Sequence, residues 1–93
     1  MTAKPGGRQD GLLQFPIDFP IKILGRNGPG FEPAIVAVVR EHAPDFDMTT
    51  VELRESRAGN YLSLTATVRA TSREQLDALY RALTSHPDVK VVL

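Results

Sequence analysis

Ile21-Lys22-Ile23-Leu24-Gly25-Arg26-Asn27-Gly28-Pro29-Gly30-Phe31 is a short apolar strand that runs into a loop with three glycines and then toward a helix that begins near Pro33. It decides the fold because it is the first step of a strand and helix alternation that the rest of the chain continues. On its N-terminal side, Ile17, Phe19, Ile21 and Ile23 alternate at period two. That predicts a first strand over about Phe19 to Gly25, with these residues toward a core and Lys22 and Leu24 on the other face. The segment from Leu12 to Pro20 otherwise reads as irregular, since Pro16 and Pro20 interrupt a ladder.

On the C-terminal side the spacing predicts a helix from Pro33 to about Ala43. Pro33 suits the first helical position, where a missing N–H has no intrahelical acceptor. Ile35, Val38, Val39 and His42 share one side at helical spacing. Pro44-Asp45 stops the helix. Thr49, Val51 and Leu53 then alternate with Thr50, Glu52 and Arg54, which predicts a second strand, and Ala58-Gly59-Asn60 is a turn. From Tyr61 to Ala70 the alternation is clean: Leu62, Leu64, Ala66, Val68 and Ala70 on one face, Tyr61, Ser63, Thr65, Thr67 and Arg69 on the other. A strand with one apolar and one polar face belongs to an antiparallel sheet covered on one side. Thr71-Ser72-Arg73-Glu74-Gln75 offers two overlapping capping boxes. Leu76, Leu79, Tyr80 and Leu83 follow at i, i+3, i+4 and i+7, a second amphipathic helix. Val89 to Leu93 is a short final strand. The order βαββαβ, with right-handed crossovers, predicts an α+β ferredoxin-like sandwich: a four-stranded antiparallel sheet with two helices on one face.

The chain has 93 residues, enough for one domain over 12–93 behind a polar tail at 1–11. Such a domain buries roughly 60–65% of its unfolded surface and stands alone with a small margin. Its 11 basic and 11 acidic residues cancel, which argues against a general nucleic-acid binder. It has no cysteine, which removes disulfides, thiol catalysis and Cys-based zinc sites and fits a reducing compartment. No apolar run reaches the ~18 residues that span a bilayer, and the polar start lacks the apolar centre of a secretory signal, so no membrane role and a cytoplasmic location are expected.

The candidate ligand site is the loop: Arg26, Asn27, Gly28 and Gly30. Glycines let a ligand approach the backbone, a helix N-terminus favours an anion, Arg26 adds a fork of donors and Asn27 adds donors and an acceptor. Against this, the glycines can serve only to permit positive φ, Pro33 deletes one N–H, and Glu32 already brings negative charge to the helix start. His42 and His86 have no second ligand at i+3 or i+4 on the same helix, Asp45 lying past the Pro44 stop, and no serine has a G-x-S-x-G context, so no metal, cofactor or catalytic residue is expected. The open sheet face is expected to carry Lys22, Leu24, Glu52, Arg54, Tyr61, Ser63, Thr65, Thr67, Arg69 and Lys90. RNA-binding domains of this topology stack bases on aromatics of the central strands, and here Tyr61 stands alone. Acylphosphatases share the topology and use the first loop as a phosphate cradle with an Arg; the Gly-Pro-Gly, Glu32 and Pro33 here depart from it.

The G-R-N-G-P-G-F loop and the R-E-H-A-P helix end, within Ile23 to Pro44, resemble an ACT regulatory domain. More specifically, residues 12–93 are similar to the YbeD-like family of small uncharacterised bacterial proteins, the UPF0250 group. The residues that carry this are Leu13-x-Phe15-Pro16, Lys22-x-x-Gly25, Arg40-x-His42-Ala43-Pro44, Ser56-x-x-Gly59-Asn60-Tyr61, Glu74-Gln75-Leu76-x-x-Leu79-Tyr80 and the final Val-Leu. The resemblance implies an ACT-like ferredoxin fold with no assigned activity. The family's genes often lie near lipoate-attachment genes, which implies a link to lipoate metabolism. ACT domains usually pair, which implies a homodimer through a sheet edge or helix. The expected function is therefore a non-enzymatic regulatory or interaction module that binds a small metabolite or a protein partner. The alternatives are a small enzyme acting on an acyl or phosphoryl substrate through the Arg26 loop, and an RNA-binding module.

Overall fold

The computed structural model of the protein describes residues 14–93. The tail expected at 1–11 lies outside the described residues. Six regular elements follow in the order β1 (Ile17–Arg26), α1 (Phe31–His42), β2 (Glu52–Glu55), β3 (Tyr61–Ala70), α2 (Arg73–Thr84) and β4 (Val89–Val92), with a 3-10 turn at Met48–Thr50 before β2. The strands form one sheet in the order β2-β3-β1-β4, and each neighbouring pair is antiparallel. This is the ferredoxin-like βαββαβ arrangement.

The two long strands are the centre of the sheet, paired without a break from Ile17 opposite Ala70 to Arg26 opposite Tyr61. On β3 every apolar position of the alternation is buried: Leu62, Leu64, Ala66, Val68 and Ala70. Ile21 and Ile23 of β1 join them, and the helices supply Phe31, Ile35, Val36 and Val39 from α1 and Leu76, Leu79 and Leu83 from α2. All belong to one cluster, so both helices cover the same face, and among the described residues no helix or strand covers the other.

Four details differ from the expectation. First, β1 starts at Ile17, not Phe19, and contains Pro20. Lys22 exchanges both backbone bonds with Leu93 on the β4 side of β1. Pro20, two residues earlier, turns its nitrogen to the same side, where β4 no longer runs, so no ladder bond is lost. Second, α1 begins at Phe31, which puts Pro33 at its third position. The missing N–H is harmless there too, because the first full helical bond comes from Ala34 N–H to the Gly30 carbonyl. Third, Met48–Thr50 is a 3-10 turn, not strand. The Asp47 carboxylate accepts from the Thr49 N–H at 3.0 Å and the Thr49 hydroxyl at 2.6 Å. A local side-chain bond of this kind outcompetes a ladder, and β2 shrinks to four exposed residues.

The fourth concerns capping. Ser72 caps α2, accepting from the Gln75 N–H at 3.0 Å. The reciprocal bonds run to Thr71, whose N–H and hydroxyl both donate to the Gln75 amide oxygen, at 2.6 and 3.0 Å. The same amide donates to the His42 carbonyl at 2.9 Å, so one side chain ties the start of α2 to the last turn of α1.

Candidate functional site

The Gly25–Gly30 segment changes character along its length. Gly25 is the last core-facing position of β1 and is buried. A Cβ there would overlap the Phe31 ring and the Asp88 carbonyl, with Phe31 Cζ only 2.8 Å away. The glycine is required by close approach, not by backbone dihedral; among the described residues the positive-φ glycine is Gly59, at +80°. Gly28 and Gly30 face open space, and Gly30 has an ordinary φ of −94° as the N-cap of α1.

The helix start offers a ligand few donors. The Phe31 N–H bonds the Gly28 carbonyl, the Ala34 N–H bonds the Gly30 carbonyl, and Pro33 has no N–H. Glu32 occupies the first turn with its negative charge. Asn27 is engaged as well. Its amide donates to the Gly59 carbonyl at 2.9 Å and to the Glu55 carboxylate at 3.3 Å. Its own N–H bonds the Asn60 carbonyl at 3.0 Å. Asn27 therefore clamps the loop to the β2–β3 turn.

Arg26 remains. It is the final residue of β1 rather than part of the loop, and it pairs with Tyr61. Its N–H bonds the Asp88 carbonyl at 3.0 Å. Its exposed guanidinium has no hydrogen bond or ion pair among the described residues. Since paired residues of neighbouring strands share a face, Arg26 belongs to the bare side of the sheet together with Lys22, Leu24, Arg54, Tyr61 and Val91. The sequence placed most of these residues on that face but left Arg26 in the loop; the period-two series Lys22, Leu24, Arg26 was the available signal.

Lys90 reaches the same place by a bulge. Leu24 pairs with Val91 and Gly25 with Val89, so Lys90 is an extra residue in the ladder. Simple alternation would turn Lys90 toward the core; the bulge lets Val89 take that position. The Lys90 ammonium then lies 5.8 Å from the centroid of the Tyr61 ring, within the range of a cation–π contact. Tyr61 and Val91 are 37% and 43% exposed, so apolar surface lies beside these cations.

Two concavities mark this face. Lys22, Glu52, Leu53, Arg54, Ser63 and Thr65 line one of about 330 Å³, near the lower end of the ~300–1,000 Å³ typical of small-ligand sites. The other, toward the far end, lies among Asp18, Asp45, Asp47, Thr67 and Arg69. It is acidic: its one cation, Arg69, pairs with Asp18 at 3.1 Å, Asp47 accepts from Thr49, and Asp45 and Glu52 add further negative charge. The hydrogen bonds from Thr49, side chain first and then backbone, draw the Asp47 carboxyl below its ordinary range, and burial pushes the Tyr80 phenol up. Neither group belongs to the Arg26 end. His42 Nδ1 lies 3.2 Å from the Val38 carbonyl and His86 Nδ1 accepts from the Asp88 N–H. Among the described residues no group of three or more His, Asp or Glu side chains is placed to hold a metal ion. No helix among them is long and apolar enough to cross a membrane.

The family model described as "Protein of unknown function (DUF493)" matches residues 10–93. A UPF0250 protein of Nitrosomonas europaea is 53% identical over 85 residues, covering 91% of this chain and 98% of the relative. Another, from Paraburkholderia phytofirmans, is 60% identical over 84 residues, covering 90% and 94%. Among solved structures, the ACT domain from the GTP pyrophosphokinase of Chlorobium tepidum superposes with a TM-score of 0.65 at 18% identity, covering 83% of each chain. The C-terminal domain of the MgtC protein from Mycobacterium tuberculosis gives 0.64 at 16% identity, covering 88% and 89%. At such identities the structural likeness speaks for the fold, and the sequence likeness for the family. The chain belongs to the UPF0250 (DUF493) family of uncharacterised bacterial proteins, built on an ACT-like ferredoxin fold.

Proposed function

We propose that the chain is a non-enzymatic regulatory or interaction module, one that acts by binding a small metabolite or a protein partner with Arg26 as its principal contact. The observation that carries this reading is the Arg26 guanidinium: exposed, unpaired among the described residues, and set where the bare sheet face meets the Gly28–Gly30 loop. An Arg fork at such a junction recognises a carboxylate or phosphate in bidentate fashion. Gly28 and Gly30 leave room for a guest beside it, while Asn27 shapes the loop from behind. The likeness to an ACT domain favours a regulatory role by analogy of fold alone. The link to lipoate metabolism that the family resemblance implies makes lipoate, a carboxylate, one of the metabolites to try first.

A thermal-shift screen with lipoate, amino acids and nucleotides tests the reading. A rise in melting temperature with one of them, abolished by Arg26→Ala, is the expected result for a metabolite. No shift with any candidate, together with turnover of a generic acyl phosphate that Arg26→Ala abolishes, would replace the module with an enzyme.

A further inference from the structure

We infer that the Arg26 end of the bare sheet face is a docking surface for an acidic protein partner, one that presents Asp and Glu side chains around an apolar anchor. This rests on the binding-module reading and names the partner's chemistry. The chain as a whole is neutral, with 11 basic and 11 acidic residues. At this end of the face Lys22, Arg26, Arg54 and Lys90 outnumber Glu52, with Glu55, which accepts from Asn27, at the β2 edge. Farther along, Arg69 is already held by Asp18. The cations surround an apolar centre of Leu24, Tyr61 and Val91, the latter two substantially exposed. An apolar core with a charged rim is the anatomy of a protein interface, and complementary charge in the rim steers the encounter.

Size and symmetry narrow the occupant. With strands about 4.8 Å apart and about 3.3 Å of rise per residue, the face covers on the order of 450 Å². Doubled, that lies in the weak, transient class of interfaces. A second copy docked face to face about a two-fold axis would set the four cations against themselves. A single-stranded nucleic acid would find one aromatic ring, its face already shared with the Lys90 ammonium, and aliphatic side chains that offer no stacking surface. An acidic protein surface satisfies both the charges and the apolar centre.

The probe is a short synthetic peptide rich in Asp and Glu with a central Phe-Leu pair, titrated into the full chain labelled with nitrogen-15. Lysine-rich peptide and oligothymidylate are titrated in parallel. Shifts are expected at the amides of Lys22, Leu24, Arg26, Arg54, Tyr61 and Val91, weakening as ionic strength rises from about 0.01 to 0.15 M. An Arg26→Ala/Lys90→Ala double variant, both sites being exposed, should melt like the parent and bind the acidic peptide roughly tenfold more weakly. Absence of shifts on this face, tighter binding of oligothymidylate, or concentration-dependent self-association through the same amides each overturns the inference. If the peptide fails while a metabolite stabilises the parent but not Arg26→Ala, the module reading stands and the acidic partner falls. If neither responds, both fall.

Discussion

The glycines of the first loop look alike in the sequence and differ in physics. Gly25 is compressed between the Phe31 ring and the Asp88 carbonyl. Gly25→Ala should destabilise the protein by about 1–3 kcal/mol or more, since neither a buried ring nor a carbonyl can yield cheaply. Gly30 has open space at its Cβ and a φ of −94°. Gly30→Ala should change stability by less than about 1 kcal/mol, because the gain through the unfolded chain is offset by alanine being a poorer N-cap than glycine. Urea denaturation of the two variants beside the parent separates them by size. The sequence could not distinguish the two glycines, because the atoms that crowd Gly25 come from α1 and from the turn before β4. Asp47 offers a second test at this scale. Its carboxyl pKa is lowered by Thr49, so the folded state holds the proton less tightly than the unfolded chain. The resulting stability is present above the unfolded value near pH 4 and is lost as pH falls through the lower folded value. Thermal melts between neutral pH and about pH 2 should therefore show a shallower acid loss for Asp47→Asn than for the parent. Parallel curves would count against the assignment.

Elements were legible in proportion to how much of their side-chain pattern is set by burial. Tyr61–Ala70 is paired on both sides and covered on one face, so its period of two is unbroken and its bounds match the expectation. The amphipathic set Leu76, Leu79, Tyr80 and Leu83 likewise fixes α2. β2 was misread at its start, because Thr49 and Val51 alternate with polar residues while Asp47 holds the backbone in a turn. The junction of α1 and α2 was only half visible. The capping box announced Ser72 and Gln75, but nothing local announced that the Gln75 amide also donates to His42. Gln75→Ala should cost about 0.5–1.5 kcal/mol, by removing the bonds to the partly buried His42 carbonyl and the exposed Thr71 N–H. Gln75→Glu keeps the acceptor for Thr71 and loses the donor to His42, so its loss should be intermediate. Chemical denaturation of the three proteins checks the order. No loss in Gln75→Glu would mean that the tie between the helices contributes nothing.

For the whole molecule, the decisive feature is the asymmetry of the sheet. One side is fully covered by two helices, which account for the stability of a small chain. The other presents Arg26 with Lys22, Arg54 and Lys90 around Tyr61, Leu24 and Val91, none of which the core uses. The topology and most of this face could be read from alternation alone. Lys90 was expected on this face and Arg26 falls in the same period-two series, but the approach of Lys90 to Tyr61 depends on a bulge in β4. The central claim is that this chain works by binding through Arg26. Its most direct test is quantitative recovery, from native cell extract, of the proteins and metabolites held by the full chain and by Arg26→Ala. The account predicts a species retained in defined proportion by the parent and lost from the variant. Retention of nothing at high bait concentration, or of the same species by both, would contradict it.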